Sequence, residues 1–223
     1  TWGEGHLVFF DDNGNIQSSF SINDYMAQGY RVQYANESIF ISGLSEEASN
    51  FILVKMDLEG NVIWDQSYGG NLDDHCFGMD VNSNGEIFLV GHTLSGTENW
   101  DTYTIKVDLN GDLLWERIIG NPRGFDPEYI HDEAWGVRAT DDGGCVTIAG
   151  TGDEYDEYSE CIGDECSDIW RAYLIKFNVE GHVEWESTFS PRQISEDDYD
   201  WAGEDIDLTD DGGAIIAVDN GQF

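Results

Sequence analysis

All three lysines of this 223-residue chain occupy one position of an internal repeat, and that repeat limits the possible folds more than any other feature. The copies read Val-Lys55-Met-Asp57-Leu-Glu-Gly60, Ile-Lys106-Val-Asp108-Leu-Asn-Gly111 and Ile-Lys176-Phe-Asn178-Val-Glu-Gly181, and a tryptophan follows each lysine at the same distance, as Trp64, Trp115 and Trp185. A degenerate copy opens the chain at Phe9-Phe10-Asp11-Asp12-Asn13-Gly14, with Phe9 for the lysine and Ser18 for the tryptophan. A second element alternates with the first. It is clearest from Trp135-Gly136-Val137 through Asp141-Asp142-Gly143-Gly144 to Gly150, and again from Ile206 through Asp210-Asp211-Gly212-Gly213 to Val218. Weaker copies run from Gly78 to Gly91 and from Gly29 to Gly43. A period of 20–50 residues signals stacked modules, each too small to bury its own apolar face.

Each element reads as a hairpin: short runs of Val, Ile, Phe and Thr flank Asp-Gly, Asn-Gly or Glu-Gly turns. Lys and Asp two residues apart share one strand face, and the aliphatic residues between them take the other. Four strands per repeat follow, A and B around the Asp-Gly-Gly turn, C and D around the Asp-x-x-Gly turn. Helical periodicity is absent, so the predicted class is all-β, a propeller of four-stranded blades. The chain opens on C and D and ends on A and B. Pairing of the segments near 194–218 and 5–21 would therefore close a four-bladed ring and remove its open edges. The expected blades are 194–223 with 1–22, then 23–70, 71–120 and 121–193, all in a single domain. The alternative is an excerpt of a larger propeller, and a chain that starts at Thr1 without methionine suggests a processed or excerpted product.

These motifs resemble those of secreted bacterial repeat proteins with Lys-x-Asp-x-x-Gly-x-x-x-Trp followed by Asp-Gly-Gly and an apolar run to glycine. The resemblance covers nearly the whole chain and implies an exported, non-enzymatic surface module. A weaker similarity, to the tryptophan-docking motif of quinoprotein dehydrogenases, fails on spacing and on length, so no organic cofactor is expected.

Forty-six acids against nine bases give a net charge of −37. Such a surface repels nucleic acids and anionic membranes, and no apolar run is long enough for a membrane span. It suits saline water, where salt screens self-repulsion, or divalent cations, or a basic partner. Cys161 and Cys166, close together in an acid-rich loop, read as a local disulfide of an extracellular protein. Cys76 and Cys145, in predicted strands, read as buried thiols.

The turns within hairpins are tight, and the long insertions, 121–130, 151–169 and 191–199, all fall on the opposite face. Binding is expected there. Asp153, Asp156, Asp164, Glu165 and Asp168 crowd one insertion, where calcium would relieve their repulsion; a solvated acidic loop is the alternative. Asp24, Asp74, Asp132 and Asp200 recur where strand A begins, with His75 and His131 alongside, and would ring the channel mouth as a cation or ligand site. Turn capping is the other reading of these four acids. No nucleophile elbow, phosphate loop or zinc-protease motif is present. The expectation is an extracellular or cell-surface binding or assembly module with a protein or polysaccharide partner and possible self-assembly. A carbohydrate-active hydrolase using paired carboxylates is the runner-up.

Overall fold

The computed structural model describes residues 5–45, 49–97, 99–120, 131–152, 170–189 and 201–218. Among these the chain is all-β, with sixteen strands and no helix. β1 (His6–Phe10) and β2 (Ile16–Ser21) form a hairpin. Three four-stranded antiparallel sheets follow, each in sequence order. The first holds β3 (Gln28–Ala35), β4 (Ser38–Leu44), β5 (Phe51–Met56) and β6 (Val62–Tyr68). The second holds β7 (Asp74–Val81), β8 (Ile87–Thr93), β9 (Asp101–Val107) and β10 (Leu113–Ile119). The third holds β11 (His131–Ala139), β12 (Cys145–Gly152), β13 (Arg171–Phe177) and β14 (Val183–Phe189). A last hairpin pairs β15 (Gly203–Leu208) with β16 (Ala214–Val218).

The turn chemistry that marked the repeats builds one turn seven times among the described residues. The amide of residue i donates to the carbonyl of i+4, and the amide of glycine i+3 donates back to the carbonyl of i, as at Asp57, Asn82, Asp108, Thr140 and Thr209. The glycines that close these turns, such as Gly60 and Gly143, have φ near +85°, where a side chain is costly. In the Asp-x-x-Gly turns the carboxylate takes two backbone amides: Asp57 accepts from Glu59 N at 3.0 Å and Asn61 N at 2.8 Å. Those bonds, with the Asn61 side chain, hold the Asp57 carboxyl below its ordinary pKa.

Successive sheets pack face to face, and each interface is one apolar cluster. Leu7, Phe9 and Phe20 of the first hairpin lie against Ile39, Ile41 and Val54. The other face of that sheet, through Phe40, Phe51 and Leu53, meets Met79, Leu89 and Ile105. Phe88, Val90 and Trp115 then meet Val137, Tyr173 and Phe177. Val146 and Ile148 meet Ile206 and Ile216. A sheet covered on both faces carries no polar side, which is why every residue of β8 is buried. The first strands β3, β7, β11 and β15 pack side by side in that order.

One expectation is corrected. The hairpins β1–β2 and β15–β16 are separate two-stranded sheets, so the predicted closure of a four-bladed ring by their pairing is not made. Each instead spends its apolar face on the sheet next to it in sequence. Of the two partners open to these lysines, the Asp two positions on or an aromatic ring, Lys55 and Lys106 take the ring, because Asp57 and Asp108 are engaged by their own turns. Lys55 Nζ donates to Leu109 O at 3.0 Å and lies over the rings of Phe40 and Trp64. Lys106, buried, bonds Glu86 at 2.8 Å and Gly143 O at 3.0 Å above the ring of Phe88. Trp64 and Trp115 pack between sheets, whereas Trp185 is exposed. The Trp115 indole donates to Val179 O at 3.0 Å and covers Gly181. Cys76 and Cys145 are buried free thiols.

Candidate binding site on the first strands

Each first strand carries a bulge at the same place. Register skips one residue between Gly29 and Arg31, between Cys76 and Gly78, between Ala134 and Gly136, and between Gly203 and Asp205. The skipped residues are Tyr30, Phe77, Trp135 and Glu204. A bulge turns its extra side chain out of the alternating pleat, so three aromatic rings are aimed alike from three neighbouring strands. They form a row: Tyr30 to Phe77 is 4.8 Å between ring centroids, and Phe77 to Trp135 is 4.5 Å. Tyr30 is exposed, and Phe77 and Trp135 are half-buried.

A second layer supports the row. His75 and His92 are direct cross-strand partners with rings 5.2 Å apart. Trp100, just before β9, packs at 4.8 Å from both imidazoles. His92 is buried, and desolvation lowers its pKa to about 4, so this imidazole is neutral near pH 7. Its Nδ1 and the Trp135 Nε1 are buried with no hydrogen-bond partner among the described residues. Glu133 brings a carboxylate to these imidazoles. Burial pushes its pKa up, but the hydrogen bond from His131 and the neighbouring imidazoles outweigh burial and leave it below the ordinary value. The arrangement offers flat apolar rings, a carboxylate acceptor and imidazole groups, which suits a ligand with both an apolar face and polar edges.

Of the four acids expected to ring this region, Asp24, Asp74 and Asp132 fall among the described residues. Asp74 is fully buried at the start of β7 and accepts hydrogen bonds from the Thr93 hydroxyl, Gly70 N at 2.7 Å and Ser95 Oγ at 3.3 Å. Burial raises its pKa despite them. Asp132 is also buried, and its amide donates to Trp100 O at 2.7 Å. Asp24 sits exposed in the turn after β2. Among the described residues no group of three His, Cys, Asp or Glu side chains converges to hold a metal. Asp153, Asp156, Asp164, Glu165, Asp168 and Asp200, the Cys161–Cys166 pair and nearly all of the long insertions lie outside the described residues. The aromatic row was missed in the sequence, although a signal existed: Tyr30 follows a glycine, and Phe77 and Trp135 precede one, at equivalent positions of the A elements.

A separate polar groove of about 380 Å³ lies between the first and second four-stranded sheets, lined by Gln66, Tyr68, Tyr103, Asp112 and Glu116. Its best-placed acid, Glu116, already accepts the Tyr103 hydroxyl at 2.5 Å. No helix among the described residues is long and apolar enough to cross a membrane.

No family model matches the chain, and no curated protein does. Its fold is similar to that in a crystal structure of a protein of unknown function from Bacteroides caccae, with a TM-score of 0.52 and 9% identity. The match covers 92% of this chain and 58% of that one, so this chain spans less than two thirds of that protein's length.

Proposed function

We propose that the chain is an extracellular, non-enzymatic binding module on a β-propeller scaffold, and that its ligand is a polysaccharide laid along the Tyr30–Phe77–Trp135 row. The propeller reading draws on four-stranded antiparallel sheets stacked face to face with their first strands adjacent. The observation that carries the function is the row itself, three rings spaced 4.5–4.8 Å apart by three equivalent bulges. Sugar rings present C–H faces to aromatic rings and hydroxyls to carboxylate and imidazole edges. With a net charge of −37, neutral or cationic glycans are favoured over anionic ones.

The test is a titration with neutral and amino-sugar oligosaccharides, followed by tryptophan fluorescence and calorimetry. Trp135→Ala and Phe77→Ala should each weaken binding by about tenfold or more. Binding that survives both substitutions would refute the site. The competing reading, a carbohydrate-active hydrolase, is favoured by Asp101, whose burial raises its pKa to about 6, a value suited to a general acid. Release of reducing ends, abolished by Asp101→Asn, would replace the binding reading with that one.

A further inference from the structure

Glycine brings the bulges of neighbouring first strands level. A methyl group at Gly78, the residue after Phe77, would fall 3.0 Å from Trp135 O and 3.2 Å from Gly136 Cα. One at Gly136, the residue after Trp135, would fall 3.5 Å from Asp205 Cα. The strands β7, β11 and β15 therefore meet backbone against backbone just past each bulge. Glu204, the extra residue of the fourth bulge, takes the position beside Trp135 that Trp135 takes beside Phe77.

A polar row runs beside the rings. Two residues before each ring, on the same strand, stand Gln28, His75 and Glu133. Gln28 accepts the Tyr30 hydroxyl, and the His75 ring lies 6.2 Å from that of Phe77. Glu133 adds charge. Burial opposes its ionisation, yet His131, His92 and His75 hold its carboxyl below the ordinary range, so it is ionised near pH 7. Its partners are imidazoles, of which buried His92 is neutral at that pH, and no lysine or arginine pairs with it among the described residues. A mostly buried carboxylate without a fixed counter-charge is costly, and a cationic ligand relieves that cost. Of the three rings, tryptophan attracts a cation most strongly. Trp135 has Glu133 on its own strand and Glu204 on the next, where Tyr30 and Phe77 have Gln28 or His75 and another ring.

We propose that the row selects a polymer of amino sugars with free amines, one protonated amine being held over the Trp135 ring between Glu133 and Glu204. The inference rests on the glycan reading of the row and adds the group by which the glycan is chosen. Acetylation would discharge that amine and remove both its attraction to the ring and its pairing with the carboxylates. The net charge of −37 draws any cation to the surface, but that attraction is spread over the molecule and fades with salt. The attraction at Trp135 is local and partly shielded from solvent, so it survives salt better.

Calorimetric titration of the 223-residue chain with hexamers of glucosamine, N-acetylglucosamine and glucose tests this, with the amines protonated and at about 0.15 M and about 0.5 M sodium chloride. The glucosamine hexamer should bind about tenfold or more tighter than the other two, at both salt concentrations. Glu133→Gln and Glu204→Gln should each cut that preference by about fivefold or more and leave the N-acetylglucosamine affinity within about twofold, which also shows that the site is folded. If Glu133→Gln loses its native circular dichroism, Glu204→Gln decides alone. Glu59→Gln, in an exposed hairpin turn, is the control and should change neither affinity. An equal loss there would assign the preference to bulk charge and overturn the proposal. Three hexamers bound alike would also overturn it while leaving the glycan reading intact, whereas no binding of any hexamer would end both. Oligolysine that binds as tightly as the glucosamine hexamer, and is lost with Trp135→Ala, would make the partner a basic protein and likewise end both.

Discussion

Replacing Gly181 with alanine tests whether the tryptophan joints between sheets are structural. Gly181 has φ +77°, and an L-residue there costs about 1 kcal/mol. The added methyl also falls 2.6 Å from the Trp115 indole and about 3.0 Å from two further ring atoms. The indole cannot move away freely, because it is buried against Phe88 and Phe177 and donates to Val179 O. Overpacking of this kind costs about 1–3 kcal/mol, so the total is about 3 kcal/mol. Gly111 provides the control. Its φ is +84°, but the methyl would lie 3.3 Å from Trp64, a contact that a small shift relieves, so Gly111→Ala should cost about 1 kcal/mol, nearly all from the backbone. Urea unfolding of both variants, fitted with a common slope, measures the difference. Equal losses would mean that the tryptophan is a passive cover and that only the turn matters.

Lys106→Met should lose about 3 kcal/mol, because it leaves Glu86 and the Gly143 carbonyl without their buried cation; a loss under about 1 kcal/mol in urea unfolding would refute a structural role. Asp101 is destabilising at pH 7, since its folded pKa of about 6 lies above the ordinary 3.8. Asp101→Asn should therefore stabilise at pH 7 by about 2 kcal/mol, discounted from roughly 3 for partial solvation. The advantage should fade as pH falls through 6 toward 4, where the native carboxyl takes its proton; an advantage independent of pH would contradict this. Calcium should raise Tm more than magnesium or sodium chloride at matched ionic strength, and replacing Asp164, Glu165 and Asp168 by their amides should abolish the excess. Equal shifts from all three salts would assign the acidity to the medium.

The hairpins could be read in the sequence because their signals are local. Asp-Gly turns, alternation and the Lys/Trp spacing each act within about a dozen residues, and β5, β6, β9, β10, β13 and β14 fall where they point. The fate of the chain ends was not legible, since pairing of β16 with β1 depends on how much each sheet rotates against the next. Asp74 shows the same limit: it reads as a ligand in sequence, but Thr93, whose hydroxyl donates to it, is nineteen residues away across a strand pair. The aromatic row stayed hidden because a bulge breaks the alternation used to assign faces, and Phe77 then reads as one more core residue.

Because every apolar cluster is shared by two adjacent sheets and by no others, cohesion in this protein is a nearest-neighbour property. Order can nucleate at any one interface and spread both ways, and it can fray inward from either end without melting the centre. Amide exchange should then be slowest in β8 and β12, each walled on both sides, and fastest in β1 and β16. The aromatic row spans several of these units, from β3 to β11, so a molecule bound along it would clamp neighbours together and turn a chain of loosely coupled modules into one cooperative body.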